Sequence, residues 1–216
     1  MIKGCIFDLD GVIVDTAKYH YLAWKELADD LGFDFTKSDN EQLKGVSRMH
    51  SLDILLKIGN KQFNEETKLK FAENKNKVYL EYIMKMTPGE ILPGVIDFLK
   101  ELKSKKIKIA LGSASKNAMT ILTQLKLTDY FDTVIDGTNV NKAKPDPEVF
   151  LKGAQSLNLK PEECIVFEDA KAGIEAAIKG GFKCVGIGSI DNLGKANYTM
   201  QGFYGITFGK IVELIN

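Results

Sequence analysis

Two aspartates and a glycine near the start of the chain are the residues best suited to chemistry. Asp8 and Asp10 follow an apolar run over residues 2–7, and Gly11 comes directly after them. Alternate residues of an extended segment point to the same side, and glycine permits a sharp turn. Two carboxylates so close repel each other unless a cation or a proton lies between them. The pair therefore suits Mg²⁺, with one carboxylate as a nucleophile toward phosphorus and the other as general acid and base.

The Asp-x-Asp-Gly segment has two simpler interpretations, a solvated turn and a calcium-binding loop. A calcium loop needs further oxygen ligands at alternating positions. Val12 and Val14 occupy those positions and supply no side-chain oxygen. We therefore disfavour a calcium loop, whereas this segment alone leaves the solvated turn open.

Polar residues of chemical interest also end two later predicted strands. Ser113 follows the strand-like run 107–111, and Glu168-Asp169 follow the run 164–167. In open parallel sheets ligands bind beyond the carboxyl ends of the strands, so these residues could share one site with Asp8. For any single position, a polar residue that merely marks the end of a strand is the simpler interpretation.

Apolar runs alternate with helical patterns along most of the chain, which is typical of a parallel sheet with crossover helices. Between residues 16 and 86 the strand pattern disappears, and apolar residues recur at helical spacing instead. Thr87-Pro88-Gly89 marks the return of the strand pattern. We predict an α/β fold with a Rossmann-like parallel sheet core, formed by residues 1–15 and 87–216. The inserted all-helical cap domain comprises residues 16–86.

The pattern predicts further elements within both parts. Helices are expected over residues 51–58, 115–127, 148–157 and 172–179, and strands over 133–135 and 184–187. Ser115 is the expected N-cap of the second of these helices. The stretch 192–205 has no readable pattern, which leaves the last strand undefined.

The segment Phe7-Asp8-Leu9-Asp10-Gly11-Val12 resembles the first motif of the haloacid dehalogenase superfamily, and three further motifs follow in order. Ser113 resembles the second motif, Lys144 in Lys144-Pro145-Asp146-Pro147 the third, and Glu168-Asp169 the fourth. Four motifs in the right order are far less frequent by chance than any one of them. Taken alone, a lysine before proline is usually a solvated loop residue, and a serine after a strand usually caps a helix.

The resemblance implies a role for each motif residue. Asp8 is the expected nucleophile, and Asp10 the expected general acid and base. The Ser113 hydroxyl and the Lys144 ammonium are expected to hold the phosphoryl group. The implied Mg²⁺ site consists of Asp8, the main-chain carbonyl of Asp10, and Asp169, with Glu168 beside them.

The predicted cap resembles that of the β-phosphoglucomutase family within this superfamily. The matching positions are Thr16, His20 and Trp24 in the first cap helix, Lys44, Gly45, Val46, Ser47 and Arg48 in the substrate loop, Lys75 in a later cap segment, and Ser113, Ala114, Ser115, Lys116 and Asn117 in the core phosphate loop. In that family the second phosphate of a bound glucose phosphate lies against the arginine corresponding to Arg48 and the segment 115–117. An arginine suits this role because its guanidinium can donate two parallel hydrogen bonds to a phosphate.

Some of these cap residues are also compatible with plain packing or solvation. His20, Trp24, Leu27 and Leu31 fall on one helical stripe, as residues of a helix core would. For Trp24 the two interpretations are balanced. Lys75 is left open between a substrate contact and a surface charge, whereas for Arg48 we favour the phosphate contact.

The resemblance implies interconversion of β-D-glucose 1-phosphate and glucose 6-phosphate. The phosphoryl group would pass through an aspartyl phosphate and β-glucose 1,6-bisphosphate, which serves as intermediate and activator. The nearest alternative is a sugar- or polyol-phosphate phosphatase with the same core, since water needs only access to the aspartyl phosphate. A receiver-like signalling module, phosphorylated on aspartate without turnover, is a third and weaker alternative.

Composition limits the partners. Lys plus Arg number 29 and Asp plus Glu 29, so net charge provides no attraction to nucleic acid or an anionic membrane. No apolar run approaches the roughly 20 residues of a membrane span. The three cysteines are widely spaced in apolar runs, which favours reduced thiols. We expect a monomeric, cytoplasmic protein that binds a small sugar phosphate and neither nucleic acid nor membrane.

Overall fold

The computed structural model describes residues 1–215, without the side chains of residues 191 and 192. Residue 216, the last of the predicted core, and the side chain of Asn192, in the stretch without a readable pattern, therefore lie outside the described part. The fold is α/β, as predicted, with a parallel sheet covered by helices.

Six parallel strands form one sheet in the order β3-β2-β1-β4-β5-β6. The strands are β1 (Gly4–Phe7), β2 (Lys108–Gly112), β3 (Thr133–Ile135), β4 (Cys164–Glu168), β5 (Lys183–Ile187) and β6 (Tyr198–Met200). This is the strand order of a Rossmann-type sheet, in which the strand order reverses between β1 and β4. The central strands are buried on both faces, which explains their continuous apolar runs.

The register of the central strands brings their carboxyl ends level. Phe7 is paired with Leu111 of β2 on one side and with Phe167 of β4 on the other. The residues that follow these three positions, including Asp8 and Glu168, therefore leave the sheet at the same edge. The pairing thus brings together stretches that are far apart in sequence.

Two cores lie on opposite faces of the sheet. Phe7 and Phe167, whose rings stack 4.7 Å apart, belong to one core, and Ile6 and Val166 belong to the other. This division follows from the alternation of side chains along a strand. The helices that complete the structure are α1 (Ala17–Asp30), α2 (Lys37–Asn40), α3 (Arg48–Ile58), α4 (Glu65–Ile83), α5 (Val95–Ser104), α6 (Ala118–Gln124), α7 (Glu148–Ser156), α8 (Lys171–Lys179), α9 (Ile190–Leu193) and α10 (Phe208–Ile215).

Helices α1, α3 and α4 share a third core, which includes Trp24, Leu52 and, from the segment between α1 and α2, Phe35. Tyr79 and Ile83 of α4 pack instead against the core of the sheet. We propose that residues 16–86 form the predicted cap, with α4 leading back to the sheet. None of the helices within residues 1–215 is long and apolar enough to span a membrane.

Most predicted elements after residue 100 begin and end within one residue of the observed bounds, and one helix does not. The predicted helix 115–127 covers only Ala118–Gln124, and Ser115 is not its N-cap. The Ser115 Oγ accepts instead from the backbone N–H of Asn117, at 3.2 Å, so it stabilises the turn before the helix. Lys126 has a φ of +57°, which ends the helix before Leu127.

Candidate active site

Three carboxylates meet at the carboxyl edge of the sheet. Asp8 follows β1, Glu168 ends β4, and Asp169 follows it, and carboxylate oxygens of the three lie within 4.8 Å of one another. Asp8 and Glu168 are buried. The structure therefore joins the first and fourth sequence motifs in a single acidic cluster.

Lys144 places an ammonium group inside this cluster. Its Nζ donates to Asp8 Oδ1 at 2.5 Å and to Glu168 Oε2 at 2.8 Å. Burial lowers the pKa of Lys144, but the two carboxylates outweigh burial and raise that pKa well above its ordinary value. Lys144 is therefore a fixed cation, not the solvated loop residue that its position before proline alone suggests.

The cluster carries more negative charge than Lys144 can neutralise. Burial, together with the neighbouring Asp8 carboxylate, raises the pKa of Glu168 to about 7. Burial and the charges of Glu168 and Asp8 also raise the pKa of Asp169 well above its ordinary value. These shifts show that a further positive charge is favourable here.

The Asp10 side chain lies beside the cluster and points to a different partner. Its carboxylate accepts a hydrogen bond from the Thr16 hydroxyl. Burial and then the charge of Asp8 raise the pKa of Asp10 to about 6. A carboxyl group with a pKa close to neutrality can both give and take a proton, which is what general acid-base catalysis requires.

A cavity of about 610 Å³ lies between the acidic cluster and helices α1 to α4. The predicted site residues that line it are Asp8, Asp10, His20, Trp24, Lys44, Gly45, Val46, Ser47, Arg48, Lys75, Ser113, Ala114, Ser115, Lys116, Asn117, Lys144 and Asp169. Two predicted residues lie outside its wall. Thr16 bonds to Asp10, and Glu168 bonds to Lys144.

Lys75 is a buried cation in the wall of this cavity, not a surface charge. Its Nζ lies 3.0 Å from His20 Nδ1 and over the rings of Trp24 and Tyr79, at 4.5 Å and 4.7 Å from their centroids. Burial and the nearby Arg48 lower the pKa of Lys75 to about 7. Burial and Lys75 also lower the pKa of His20 well below its ordinary value, so His20 is neutral. Trp24 packs in the core of the cap helices and also lines the cavity, next to Lys75.

The loop 44–48 closes the cavity close to the cluster. Gly45 has a φ of +72°, and a Cβ at this position would lie 2.6 Å from the Cβ of Ala170. Glycine is therefore required both for the backbone conformation and for the close approach of the loop. Arg48 follows at the start of α3, where partial burial lowers its pKa.

The loop after β2 is organised by its own serines. The Ser113 N–H donates to the Ile135 carbonyl at 3.0 Å, and the Ser113 Oγ accepts from the Ser115 N–H at 3.1 Å. The side chain of Asn117 extends across the cavity wall, where its Nδ2 donates to Asn76 Oδ1 at 2.8 Å. This loop thus offers hydroxyl, amide and ammonium groups to the cavity.

Comparison with known proteins agrees with this geometry. The family model for haloacid dehalogenase-like hydrolases matches residues 5–187. The chain belongs to the haloacid dehalogenase-like hydrolase family. Membership in a family of hydrolases argues against the receiver-like alternative.

Relatives within the haloacid dehalogenase-like family include mutases and phosphatases. The chain is 43% identical to a β-phosphoglucomutase of Bacillus subtilis, over 87% of this chain and 84% of that protein. It is 35% identical to a phosphorylated carbohydrates phosphatase of Thermotoga maritima, over 90% and 89%. The crystal structure of a β-phosphoglucomutase from Clostridium difficile superimposes with a TM-score of 0.95 at 47% identity, covering 100% of this chain and 98% of that one.

Members of this family use Mg²⁺, and the acidic cluster fits that ion. Carboxylate oxygens are the ligands that Mg²⁺ prefers, and the excess negative charge favours a cation. Both Glu168 oxygens already accept hydrogen bonds, from Lys144 and from the Ala170 N–H at 3.0 Å. Asp8 and Asp169 are therefore the better placed as direct ligands, with Glu168 beside them.

Gly11 makes room for this cluster. Its φ is +78°, and a Cβ at this position would collide with the Asp169 carboxylate. From the sequence, Gly11 has only the role of a turn residue, because the contact with Asp169 depends on the pairing of β1 with β4.

Several polar residues of the cavity wall were not predicted from the sequence, namely Asn40, Ser51, Glu73, Asn76, Tyr79, Asn141 and Lys142. Asn40 Oδ1 and the Tyr79 hydroxyl are buried without a hydrogen-bond partner among the described residues. Tyr79 lies one helical turn after Lys75, on the same face of α4. That spacing was the available signal for Tyr79, whereas Asn40 stands in a short helix with no motif around it.

Proposed function

We propose that this protein is a β-phosphoglucomutase that interconverts β-D-glucose 1-phosphate and glucose 6-phosphate. The observation that carries the proposal is one cavity with a nucleophile-bearing acidic cluster in the core and cationic cap side chains in its wall, the buried Lys75 and the partly buried Arg48 among them. The relatives named β-phosphoglucomutase support it, since they match nearly the whole chain, the cap helices included.

In the proposed cycle, Asp8 attacks phosphorus in line and accepts the phosphoryl group as an aspartyl phosphate. Lys144, which already contacts Asp8, would neutralise charge on the transferring group together with the Ser113 hydroxyl. Mg²⁺, when bound at Asp8, Asp169 and the main-chain carbonyl of Asp10, supplies further positive charge at the phosphoryl oxygens. Asp8 then returns the group to the other sugar oxygen.

Asp10 is the proposed general acid and base of both half-reactions. It would protonate the leaving sugar oxygen in one direction and deprotonate the attacking hydroxyl in the other. Its pKa of about 6 suits both tasks near neutral pH. The hydrogen bond from Thr16 would hold the Asp10 carboxyl group in position before the sugar binds.

The part of the cavity between the cap and the core phosphate loop is the proposed site for the phosphate that is not reacting. Arg48, Lys75, Lys116 and Asn117 line it and can donate to phosphate oxygens. β-Glucose 1,6-bisphosphate, the proposed intermediate and activator, carries a phosphate for each end of the cavity. It must turn round between the half-reactions, and a closed cap would exclude water from the aspartyl phosphate in the meantime.

A sugar-phosphate phosphatase is the second candidate, and the 35% identity to the Thermotoga maritima phosphatase favours it. The same aspartyl phosphate would then be attacked by water. The two candidates differ in product and not in the first step, so the product decides between them.

Product analysis tests the proposal. The enzyme is incubated with β-glucose 1-phosphate, Mg²⁺ and a trace of β-glucose 1,6-bisphosphate, and the products are measured by ³¹P NMR. Glucose 6-phosphate should form with little free phosphate. The Asp8→Asn variant should have no turnover while its circular dichroism spectrum stays unchanged. Abundant free phosphate without glucose 6-phosphate would exclude the mutase and leave the phosphatase.

We further propose that the enzyme acts as a monomer in a reducing compartment such as the cytoplasm. Cys5, Cys164 and Cys184 are buried free thiols, which suits a reducing compartment. Sedimentation velocity should give the mass of a single chain, and a dimer would contradict this proposal.

A further inference from the structure

A side-chain hydrogen bond joins a cap helix to the core phosphate loop at the wall of the cavity. The donor is the amide Nδ2 of Asn117, directly before α6, and the acceptor is Oδ1 of Asn76 in α4, at 2.8 Å. Both residues are partly buried and line the cavity. Neither the motifs nor the proposed mechanism gives Asn76 a role.

This hydrogen bond lies at one end of the contact between α4 and α6. At the other end, Gln124 Nε2 donates to the carbonyls of Met84 and Met86, at 3.1 Å and 3.2 Å. Asn117 and Gln124 are seven residues apart, and Asn76 and Met84 are eight apart, so the two helices run side by side in the same direction. The Gln124 end lies where α4 joins the sheet domain, and the Asn76 end lies at the cavity. Rotation of the cap about its junction would therefore separate Asn76 from Asn117 more than it would separate the Gln124 end.

The bond fixes the amide of Asn117. One Nδ2 proton is committed to Asn76, which determines the side-chain torsion and leaves the second proton free to donate elsewhere. The backbone N–H of Asn117 is held as well, by the Ser115 hydroxyl. A donor that is already oriented loses less conformational freedom when a ligand binds.

We propose that Asn76 is a positioning residue, which orients the Asn117 amide toward the non-reacting phosphate of the substrate and provides that orientation only when the cap is closed. The inference rests on the proposed function, in which Asn117 contacts this phosphate. It adds that recognition of the second phosphate is coupled to cap position through a residue that does not touch the phosphate.

The test compares Asn76→Ala with Asn74→Ala, a matched control because Asn74 is exposed on the same helix. Loss of one oriented hydrogen bond should raise the KM for β-glucose 1-phosphate by about tenfold with a smaller change in kcat. Phosphorylation of Asp8 by acetyl phosphate should change less than about twofold, because this donor carries neither a sugar nor a second phosphate. Asn74→Ala should leave both activities unchanged.

A double-variant cycle separates positioning from a general loss of structure. In an Asn117→Ala background, Asn76→Ala should have no further effect on KM, since the amide that it orients is gone. Additive effects, an unchanged KM, or equal losses with both phosphoryl donors would each overturn the assignment of Asn76. Failure of the wild-type enzyme to form glucose 6-phosphate would instead refute the proposed function, and that result is read before any variant is compared.

Discussion

Charge balance at single residues decides how this site works. Lys144 is held between Asp8 and Glu168, which raise its pKa well above the ordinary value, so its ammonium group is present at neutral pH. Lys75 is the opposite case, because it is buried without a carboxylate within ion-pair distance among the described residues. The protein thus keeps one permanent cation at the nucleophile and one titratable cation in the cap.

Lys75 should therefore make substrate binding depend on pH. Burial and Arg48 lower its pKa in the free enzyme to about 7, so its ammonium is present below pH 7 and is lost as pH rises through that value. We expect kcat/KM for β-glucose 1-phosphate to fall as pH rises through about 7, because kcat/KM reports the free enzyme. In Lys75→Met the contribution of Lys75 to this fall should be lost, which leaves only the changes caused by other groups such as Asp10, and kcat/KM below pH 7 should be lower by about tenfold.

The control for this prediction is Lys77→Met, which removes an exposed ammonium from the same helix. Ionisation of the substrate phosphate affects all three proteins equally, so it cancels in the comparison. A pH profile that is the same for the wild type and Lys75→Met would show that Lys75 contributes only packing.

At the scale of elements, close packing between β4 and α8 depends on a glycine, Gly173. A Cβ on Gly173 of α8 would collide with the side chain of Glu168 at the end of β4. Alanine is the better helix former by about 1 kcal/mol, but here the added methyl group must displace a buried carboxylate that holds Lys144. We expect Gly173→Ala to lower the free energy of unfolding by about 1–3 kcal/mol and to reduce activity.

Gly209 provides the matched control, since it lies in α10 and a Cβ added there would have no neighbouring atom within 4 Å among the described residues. Gly209→Ala should leave activity unchanged and raise stability by up to about 1 kcal/mol, measured by urea denaturation. If both substitutions stabilised the protein, the close packing between Gly173 and Glu168 would not matter.

Elements with strong local patterns could be predicted from sequence, and those defined by neighbours could not. The central strands are continuous apolar runs, so β4 and β5 were predicted to within one residue at each end, whereas β1 begins two residues after the predicted start. Strand β6 was missed because Tyr198-Thr199-Met200 contains one β-branched residue, whereas the equally short β3 consists of three. The helix after Ser113 was predicted too long, because serine oxygens can stabilise a turn as readily as a helix start.

The same distinction holds for the site. The motif residues could be predicted because their types and order are themselves the signal. Asn40, Asn76 and Tyr79 could not, since what places them at the cavity is the packing of the cap helices on one another and on the sheet. Lys75 stayed open for a related reason, because a lysine in a polar helix gives no sign of burial until its neighbours are known.

On the scale of the whole molecule, the active site joins segments that are far apart in sequence, and a metal ion should stabilise the assembly. The proposed ligands Asp8 and Asp169 follow different strands, and the unfolded chain cannot keep them together. Mg²⁺ should therefore bind the native state much more tightly than the unfolded state. At a concentration near 100 times Kd it should stabilise the fold by about 2.7 kcal/mol, which raises Tm by a few degrees.

Thermal unfolding with Mg²⁺ and with EDTA, at ionic strength matched with KCl, measures this effect. Asp169→Asn should abolish the Mg²⁺-dependent rise in Tm, because it removes a direct ligand. Its Tm in EDTA should equal or exceed that of the wild type, since the pKa of Asp169 is raised and its charge is therefore unfavourable in the absence of the ion. Asp30→Asn, at an exposed position in α1, should retain the full rise. An equal rise in wild type and Asp169→Asn would place the ion elsewhere and leave Lys144 without the proposed help of Mg²⁺ in neutralising charge at Asp8.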